Sequence, residues 1–211
     1  MQDLTVENRL HLVVAGGDLR QIYAAETLAK SFAVTLLGFD SGIPDLPCGV
    51  DAKQIAELKD EADALILPMP AADEDEVLPA PYSRTPLALS DVLPRVRQGG
   101  CVLGGRITER VRRRIGAVGL RVTDYAEDEA FAVRNAVPTA EGAIQIAMQE
   151  LPVTLHGLPC LILGAGRLSR ALVPRLCGLG AQVTVAARRF SDLAWAQCRE
   201  GKPHHKTKIP A

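Results

Sequence analysis

The 211-residue sequence has no excess of charge of either sign and no long apolar run. With a formal net charge of −1, the chain has no electrostatic field that would attract nucleic acid or an acidic membrane surface, so we expect neither partner. No apolar stretch approaches the roughly 18 residues that a transmembrane helix requires. Residues 1–10 lack the basic and then apolar layout of a signal peptide, which predicts a cytoplasmic protein.

The sequence also lacks the patterns of a metal site or a disulfide framework. Its cysteines are odd in number and scattered, without C-x-x-C spacing: Cys48, Cys101, Cys160, Cys177 and Cys198. This usage favours reduced thiols. No Ser/His/Asp or metal-ligand constellation is visible, and we predict no metal. The arginines of residues 106–116 fall on a helical pattern, which predicts a solvated helix face rather than a phosphate-binding arm.

Short apolar segments alternate with amphipathic ones in the first part of the chain. Strands are predicted at residues 10–17, 33–40, 63–70, 101–105 and 120–125, and helices at 18–32 and 51–62. Nearly all-apolar strands that alternate with helices indicate a parallel sheet covered on both faces. The sequence therefore predicts a doubly wound α/β domain, flavodoxin-like or Rossmann-like, over residues 1–134.

A second domain is predicted after a linker helix at residues 135–151. It begins as strand, turn, helix and strand, and a further helix is predicted from residue 190. A complete dinucleotide-binding domain has about six strands, so residues 152–200 predict a partial Rossmann domain. Residues 201–211 are basic and aperiodic and are predicted to be disordered.

The turn that opens the second domain resembles a dinucleotide-binding motif. Residues Gly164-Ala165-Gly166-Arg167-Leu168-Ser169 match G-x-G-x-x-G/A except at the last position. Gly164 would permit the tight turn, Gly166 would let the backbone approach a pyrophosphate, and the amides of the following helix would bind that anion. Ser169 is one hydroxyl larger than the tolerated alanine. The whole turn is predicted to bind a cofactor, and a purely structural turn is the alternative.

The next strand of that domain ends in arginines rather than in an acid. An acid at this position would bind the ribose 2′-hydroxyl of NAD, whereas the guanidinium groups of Arg188 and Arg189 favour the 2′-phosphate of NADP. We therefore predict NADP (NADPH) as the cofactor, with two solvated loop arginines as the alternative.

Candidates for binding a substrate follow the first strand of the chain. Asp18 stands where a pyrophosphate would lie in a nucleotide turn, so we interpret it as the N-cap of the first helix. Arg20 and Gln21 would then face the crevice at the carboxyl end of the strand. Arg20 would hold a substrate carboxylate by a bidentate pair, and an ordinary surface arginine is the alternative.

Three further polar residues, Asn135, Thr139 and Glu141, lie where the two predicted domains would meet. Clefts of this kind often contain binding sites, so these residues are candidates for catalysis. Helix capping by Asn135 or Thr139 explains the stretch equally well.

Five blocks taken together resemble the family of the dipicolinate synthase A subunit: "GGDLRQ", "LILPMP", "RNAVPTAEGAIQIAM", "LHGLPCLILGAGRLSRAL" and "VTVAARR". Their order and spacing match over roughly residues 1–195, and "NAVPTAEGAI" is the most specific block. The resemblance implies an α/β domain and a Rossmann domain that enclose a cleft. It implies an enzyme that works with a flavoprotein-like B subunit. Such an enzyme uses NADP to oxidise dihydrodipicolinate to dipicolinate during bacterial sporulation.

The resemblance also assigns expected roles and shows departures. Arg20, Gln21, Asn135 and Thr139 are the candidate ligands of the small dicarboxylate substrate, and Glu141 is the candidate proton acceptor or organiser. The family continues where this chain turns into "KPHHKTKIPA", which predicts a C-terminally truncated relative with little or no turnover. Two alternatives remain: a two-domain dehydrogenase of the 2-hydroxyacid type, and a non-catalytic remnant that binds a partner subunit.

Overall fold

The structure, a computed structural model, describes residues 9–43, 45–59 and 61–200. The chain divides into two units, Met1–Asp128 and Glu129–Ala211. The division precedes the predicted end of the first domain at residue 134, because the helix that opens the second unit begins at Glu129. The predicted disordered tail, residues 201–211, lies outside the described residues. Among the helices that the structure describes, none has the length and apolar character to cross a membrane.

The described residues of the first unit form eight strands: β1 (His11–Ala15), β2 (Ala33–Leu37), β3 (Val50–Lys53), β4 (Ala62–Ile66), β5 (Val77–Leu78), β6 (Leu87–Ala88), β7 (Val96–Gly104) and β8 (Arg121–Asp124). Six of them form a parallel sheet in the order β3-β2-β1-β4-β7-β8, while β5 and β6 form a separate antiparallel pair. This order is that of a doubly wound fold.

Helices cover both faces of the six-stranded sheet: α1 (Leu19–Ala29), α2 (Leu89–Val92) and α3 (Glu109–Ala117). Successive residues of β1 point to opposite faces, so Val13 packs into one buried cluster and Leu12 and Val14 into another. Both clusters exclude water from the central strand, which is why β1 is apolar throughout. The predicted fold class is confirmed.

One predicted helix of the first unit, residues 51–62, is wrong. The segment contains edge strand β3 and a 3₁₀ turn, Ile55–Glu57. Val50 is buried, whereas the next residue, Asp51, is exposed, and this alternation has the period of a strand. Strand β3 forms because Val50 pairs in register with Val34 of β2, a tertiary contact that overrides the local preference.

The second unit contains α4 (Glu129–Glu150), β9 (Pro159–Leu163), α5 (Arg167–Gly178), β10 (Gln182–Ala186) and α6 (Phe190–Glu200). Strands β9 and β10 pair in parallel, with Ile162 opposite Val185 in the core of the unit. Ala136 and Ala140, one turn apart on α4, are buried. Small side chains at this spacing permit the close packing of α4 against α5.

The alternative interpretation of Asn135 or Thr139 as a helix cap is wrong. Both residues lie inside α4, which starts before them and continues through Pro138. The Thr139 hydroxyl donates a hydrogen bond to the carbonyl of Asn135 at 2.7 Å, as a threonine within a helix does toward the preceding turn. The predicted linker helix at residues 135–151 is therefore the greater part of a longer helix that belongs to the second unit.

Candidate functional site

The first candidate site lies where the topology of the six-stranded sheet changes direction. Strand β1 stands between β2 and β4, and sheets of this kind bind ligands at the carboxyl ends of such neighbouring strands. The chain leaves β1 through Gly16 and Gly17, whose φ angles of 66° and 91° suit glycine. A Cβ on Gly17 would collide with the side chain of Gln21, so the turn and the first turn of α1 approach each other closely.

Asp18 caps helix α1, which confirms its interpretation as an N-cap. Its Oδ1 accepts the N–H of Arg20 at 3.0 Å, while the Gln21 Oε1 accepts the N–H of Asp18 at 3.1 Å. The two side chains thus form a reciprocal capping box. Because this geometry uses the Gln21 oxygen, only the amide nitrogen of Gln21 remains to donate to a ligand.

The guanidinium of Arg20 is held by the chain itself. Its Nε and Nη2 donate to the Asp18 carboxylate, each at 2.9 Å, in a bidentate pair. Hydrogen bonding to Arg20 lowers the pKa of Asp18, and the same bond raises the pKa of Arg20. Arg20 was predicted to pair with a substrate carboxylate, whereas in the structure its bidentate partner is Asp18 of the chain itself. The Nη1 side of Arg20 has no partner among the described residues and is the side left for a ligand.

Residues that the sequence did not single out complete this edge of the sheet. The hydroxyl of Tyr125, just past β8, donates to the carbonyl of Leu67, just past β4, at 3.1 Å. Burial is the main cause that raises the pKa of Tyr125 to about 12, and the positive charge of Arg20 acts against it. Tyr125 is therefore neutral at ordinary pH and stands close to Arg20. The sequence signal that could have identified Tyr125 is its position at the C-terminal end of the predicted strand 120–125.

The second candidate site is the turn between β9 and α5. Gly164 has a φ of 98°, which requires glycine, and its N–H donates to the carbonyl of Ala186 at 2.7 Å. Gly166 is the N-cap residue of α5. Apart from atoms of the residues adjacent in sequence, no described atom lies within 4 Å of the position that a Cβ would take on Gly164 or Gly166. This open space above helix N–H groups fits the pyrophosphate of a dinucleotide.

The remaining residues of this turn lie on different sides of α5. Ser169 is buried, with 8% of its surface exposed, so it contributes to helix packing as the third motif position does. Leu168 is 41% exposed. Arg167 is also exposed and forms an ion pair with Glu129 at 2.7 Å, so its charge is already partly compensated.

The two arginines predicted to bind a 2′-phosphate stand beside the glycine turn. Residue 186, the last of β10, pairs with Leu163, the last of β9, so Arg188 and the turn at Gly164 lie at the same edge of the sheet. Arg188 and Arg189 are both exposed. Neither guanidinium has a partner among the residues that the structure describes. Two unpaired cations beside a phosphate-binding turn favour an additional phosphate.

The three catalytic candidates on α4 do not form one cluster. Asn135 and Thr139 are one turn apart on the same side of the helix, whereas Glu141 lies about 200° around the axis from Thr139. The carboxylate of Glu141 accepts hydrogen bonds from Nε and Nη2 of Arg175 at 3.4 and 3.3 Å. Glu141 is thus oriented by α5, while Thr139 is bonded within its own helix.

Comparisons with known proteins agree on one family. The family model for the N-terminal domain of the dipicolinate synthase A subunit matches residues 11–126. The A subunit of dipicolinate synthase from Bacillus subtilis strain 168 is 31% identical over 192 residues, which cover 88% of this chain and 63% of the relative.

Two crystal structures are similar to most of the chain. The dipicolinate synthase A chain from Bacillus subtilis has a TM-score of 0.73 at 28% identity, covering 92% of this chain and 65% of that chain. The dipicolinate synthase A subunit from Bacillus halodurans has a TM-score of 0.76 at 27% identity, covering 93% and 68%. The chain spans less than two thirds of the length of the curated relative and of the first of these structures.

Proposed function

The chain belongs to the family of the dipicolinate synthase A subunit, and from this membership we propose that it is a subunit of an NADP-dependent oxidoreductase. The proposed reaction is the oxidation of dihydrodipicolinate to dipicolinate in the cytoplasm of a sporulating cell. The proposed partner is a flavoprotein-like B subunit. The second unit provides the cofactor site, and the first unit provides the site for the small dicarboxylate substrate.

One observation carries the proposal: the glycine turn at Gly164–Gly166 and the unpaired arginines Arg188 and Arg189 lie at the same edge of the β9–β10 sheet. The N–H groups at the start of α5 are suited to the pyrophosphate, and the two guanidiniums are suited to the 2′-phosphate. Arg167 and Leu168 flank the pyrophosphate position, and Ser169 sets the packing of α5. NADP, when bound, supplies the acceptor for a hydride.

The substrate half of the proposal rests on the edge of the first unit at Asp18–Gln21. Asp18 positions Arg20 through their bidentate pair, so Arg20 presents its Nη1 side to a substrate carboxylate. Gln21 presents its amide nitrogen, because its oxygen accepts the N–H of Asp18. Because Asp18 already offsets part of the charge of Arg20, the substrate carboxylate would be held mainly by hydrogen bonds from the Arg20 Nη1 and the Gln21 amide nitrogen.

Oxidation of dihydrodipicolinate removes one hydride and one proton from the substrate. A bound nicotinamide cofactor would accept the hydride, and the proton would require an acceptor on the protein. Glu141 is the proposed acceptor or organiser, with its carboxylate oriented by Arg175. Asn135 and Thr139 lie on the opposite side of α4, so they do not contact the same substrate as Glu141, and their predicted role as substrate ligands is not part of this proposal.

The cofactor assignment is tested by titrating the chain with NADPH and with NADH and following the nucleotide fluorescence. Arg188→Ala removes one charge-assisted contact to the 2′-phosphate, so NADPH should bind about 10-fold more weakly while NADH is unchanged. Arg134→Ala is the control, because Arg134 is exposed on α4 and has no partner among the described residues. An NADPH preference that survives Arg188→Ala contradicts the role given to Arg188, and a wild-type chain that binds NADH as tightly as NADPH contradicts the NADP assignment.

The reaction itself is tested by turnover of dihydrodipicolinate with NADP, with and without the B subunit. Glu141→Gln should lower kcat far more than it raises KM if Glu141 accepts the proton. A Glu141→Gln variant with the kcat of the wild type would exclude Glu141 from proton transfer. Tight NADPH binding without any turnover in the presence of the B subunit would leave the chain a binding module rather than an enzyme.

A further inference from the structure

In the first unit, the segment that follows β4 crosses the carboxyl ends of β1 and β2. The carbonyl of Pro79 accepts the N–H of Gly17 and would lie 2.9 Å from a Cβ on Gly16. The carbonyl of Tyr82 accepts the N–H of Asp40, just past β2, at 3.1 Å. The chain thus covers the place where a dinucleotide lies in a fold of this topology.

Because Gly105 has no side chain, the segments that follow β4, β7 and β8 approach one another closely. A Cβ on Gly105 would lie 2.6 Å from the Met69 Cβ and 2.7 Å from the Tyr125 Cε2. Arg20 interacts electrostatically with the Tyr125 hydroxyl, and Arg106 follows Gly105 directly in the chain. Arg20 follows β1 and Arg106 follows β7, two strands further along the sheet, so both arginines lie at the same carboxyl edge of the sheet.

Arg106 has a backbone conformation that L residues rarely adopt, with a φ of 55°. The carboxylate of Asp124 holds it there by accepting the N–H groups of Arg106 at 3.0 Å and of Ile107 at 2.7 Å. The side chain itself is exposed. Among the arginines that the structure describes in residues 9–128, only Arg84 and Arg106 have a guanidinium without a partner. The strained backbone at Arg106 thus holds a guanidinium that pairs with no described residue of the first unit.

We propose that Arg106 binds one carboxylate of a small dicarboxylate ligand while Arg20 binds the other. This inference rests on the proposed function and adds a residue to the substrate site of the first unit. A planar guanidinium matches a carboxylate in two parallel hydrogen bonds. A dicarboxylate makes both of these contacts, one to Arg106 and one to the Nη1 side of Arg20, whereas a monocarboxylate makes only one of them. Arg106 therefore determines specificity for the dicarboxylate.

The test compares dipicolinate, which has two carboxylates, with picolinate, which has one, by calorimetric titration of the whole chain. The wild-type chain should bind dipicolinate about 10- to 100-fold more tightly than picolinate. Arg106→Asn should abolish that preference, because asparagine accepts the left-handed conformation but carries no charge. Arg106→Lys keeps the charge without the planar pair of donors and should give an intermediate preference.

Arg84→Asn is the matched control, since it removes another exposed arginine of the same unit whose guanidinium has no partner among the described residues. It should change both affinities by about two-fold or less, as expected for a screened surface charge. Equal losses in Arg84→Asn and Arg106→Asn, or an unchanged preference in Arg106→Asn, overturn the inference. An unchanged melting temperature in Arg106→Asn excludes loss of the fold as the cause.

An NADPH titration of the same samples separates this inference from the proposed function. A wild-type chain that binds NADPH but no dipicolinate overturns the dicarboxylate site and leaves the cofactor assignment standing. A chain that binds dipicolinate through Arg106 but no NADPH supports the site and contradicts the proposed cofactor.

Discussion

The carboxylate of Asp124 accepts the backbone N–H of Ile107 at 2.7 Å, across a sequence separation of 17 residues. It also accepts the N–H of Arg106 at 3.0 Å and of Ala126 at 2.8 Å, and only 8% of its surface is exposed. A single buried carboxylate thus satisfies three backbone donors and fixes the loop after β7 against the end of β8. Without the Asp124 carboxylate, these three backbone N–H groups would lose their hydrogen-bond acceptor.

Asp124→Ala should lower the free energy of unfolding of the first unit by about 3 kcal/mol, because it leaves buried N–H groups unsatisfied. Asp124→Asn keeps one acceptor oxygen and should cost less. The measurement is native-state hydrogen exchange at the amides of β1 and β4. Glu26→Ala, which removes an exposed carboxylate from α1, should change that free energy by about 0.5 kcal/mol or less. A loss below about 1 kcal/mol in Asp124→Ala would contradict the role given to Asp124.

Two glycines of neighbouring segments should respond to the same substitution with opposite signs. Gly105→Ala places a Cβ 2.6 Å from the Met69 Cβ, so we expect a loss of about 1–3 kcal/mol from overpacking. Gly116→Ala, near the end of α3, meets nothing within 4 Å and should gain about 0.5 kcal/mol from helix propensity. Urea denaturation followed by circular dichroism measures both, and a neutral Gly105→Ala would show that β4 and β7 are less closely packed than described.

Elements with a strong local signal were predictable from the sequence. Strand β1 is a short apolar run because both of its faces are buried, and the Gly164 turn has the spacing that its close approach requires. Asp18 was identifiable as an N-cap because its acceptor side chain directly precedes an apolar helical pattern. In each case a single short segment contains the physical cause of its own structure.

Features that depend on distant contacts were not predictable in this way. Strand β3 has the composition of a polar helix and becomes a strand only beside β2. The Glu141–Arg175 pair joins residues 34 positions apart and exists because α4 packs on α5. The proposed role of Arg106 was also not predictable, because its left-handed backbone is imposed by Asp124 from another strand. The sequence pattern of residues 106–116 alone indicated only a solvated helix.

Tyr125 should remain protonated far above the ordinary range of tyrosine. Burial raises its pKa from 10.0 to about 12, with Arg20 opposing and Asp124 adding to the shift. Because the folded pKa lies above the unfolded one, the stabilisation is fully present below pH 10 and is lost as the pH rises toward 12. The difference in tyrosinate absorbance between wild type and Tyr125→Phe should have its midpoint near pH 12. A midpoint near pH 10 would mean that the ring is solvated.

The last prediction concerns Ser169, the position at which the glycine turn departs from the dinucleotide-binding motif. Ser169 is 8% exposed and lies in the first turn of α5, where a small side chain fills the contact with the strand. Ser169→Gly should therefore lower the free energy of unfolding of the second unit by about 1 kcal/mol, through backbone entropy and lost packing. Ser169→Ala preserves most of the volume and should be neutral within about 0.5 kcal/mol.

The fluorescence of Trp195 during urea denaturation reports on this unit, since Trp195 is the chain's one tryptophan and lies 5.1 Å from the Arg170 guanidinium of α5. Both variants should bind NADPH as the wild type does, because the Ser169 side chain packs inside the unit and the proposed phosphate contacts are made by backbone N–H groups. If Ser169→Ala weakens NADPH binding about 10-fold or more, the hydroxyl contacts the cofactor, and the serine is a ligand rather than a packing residue.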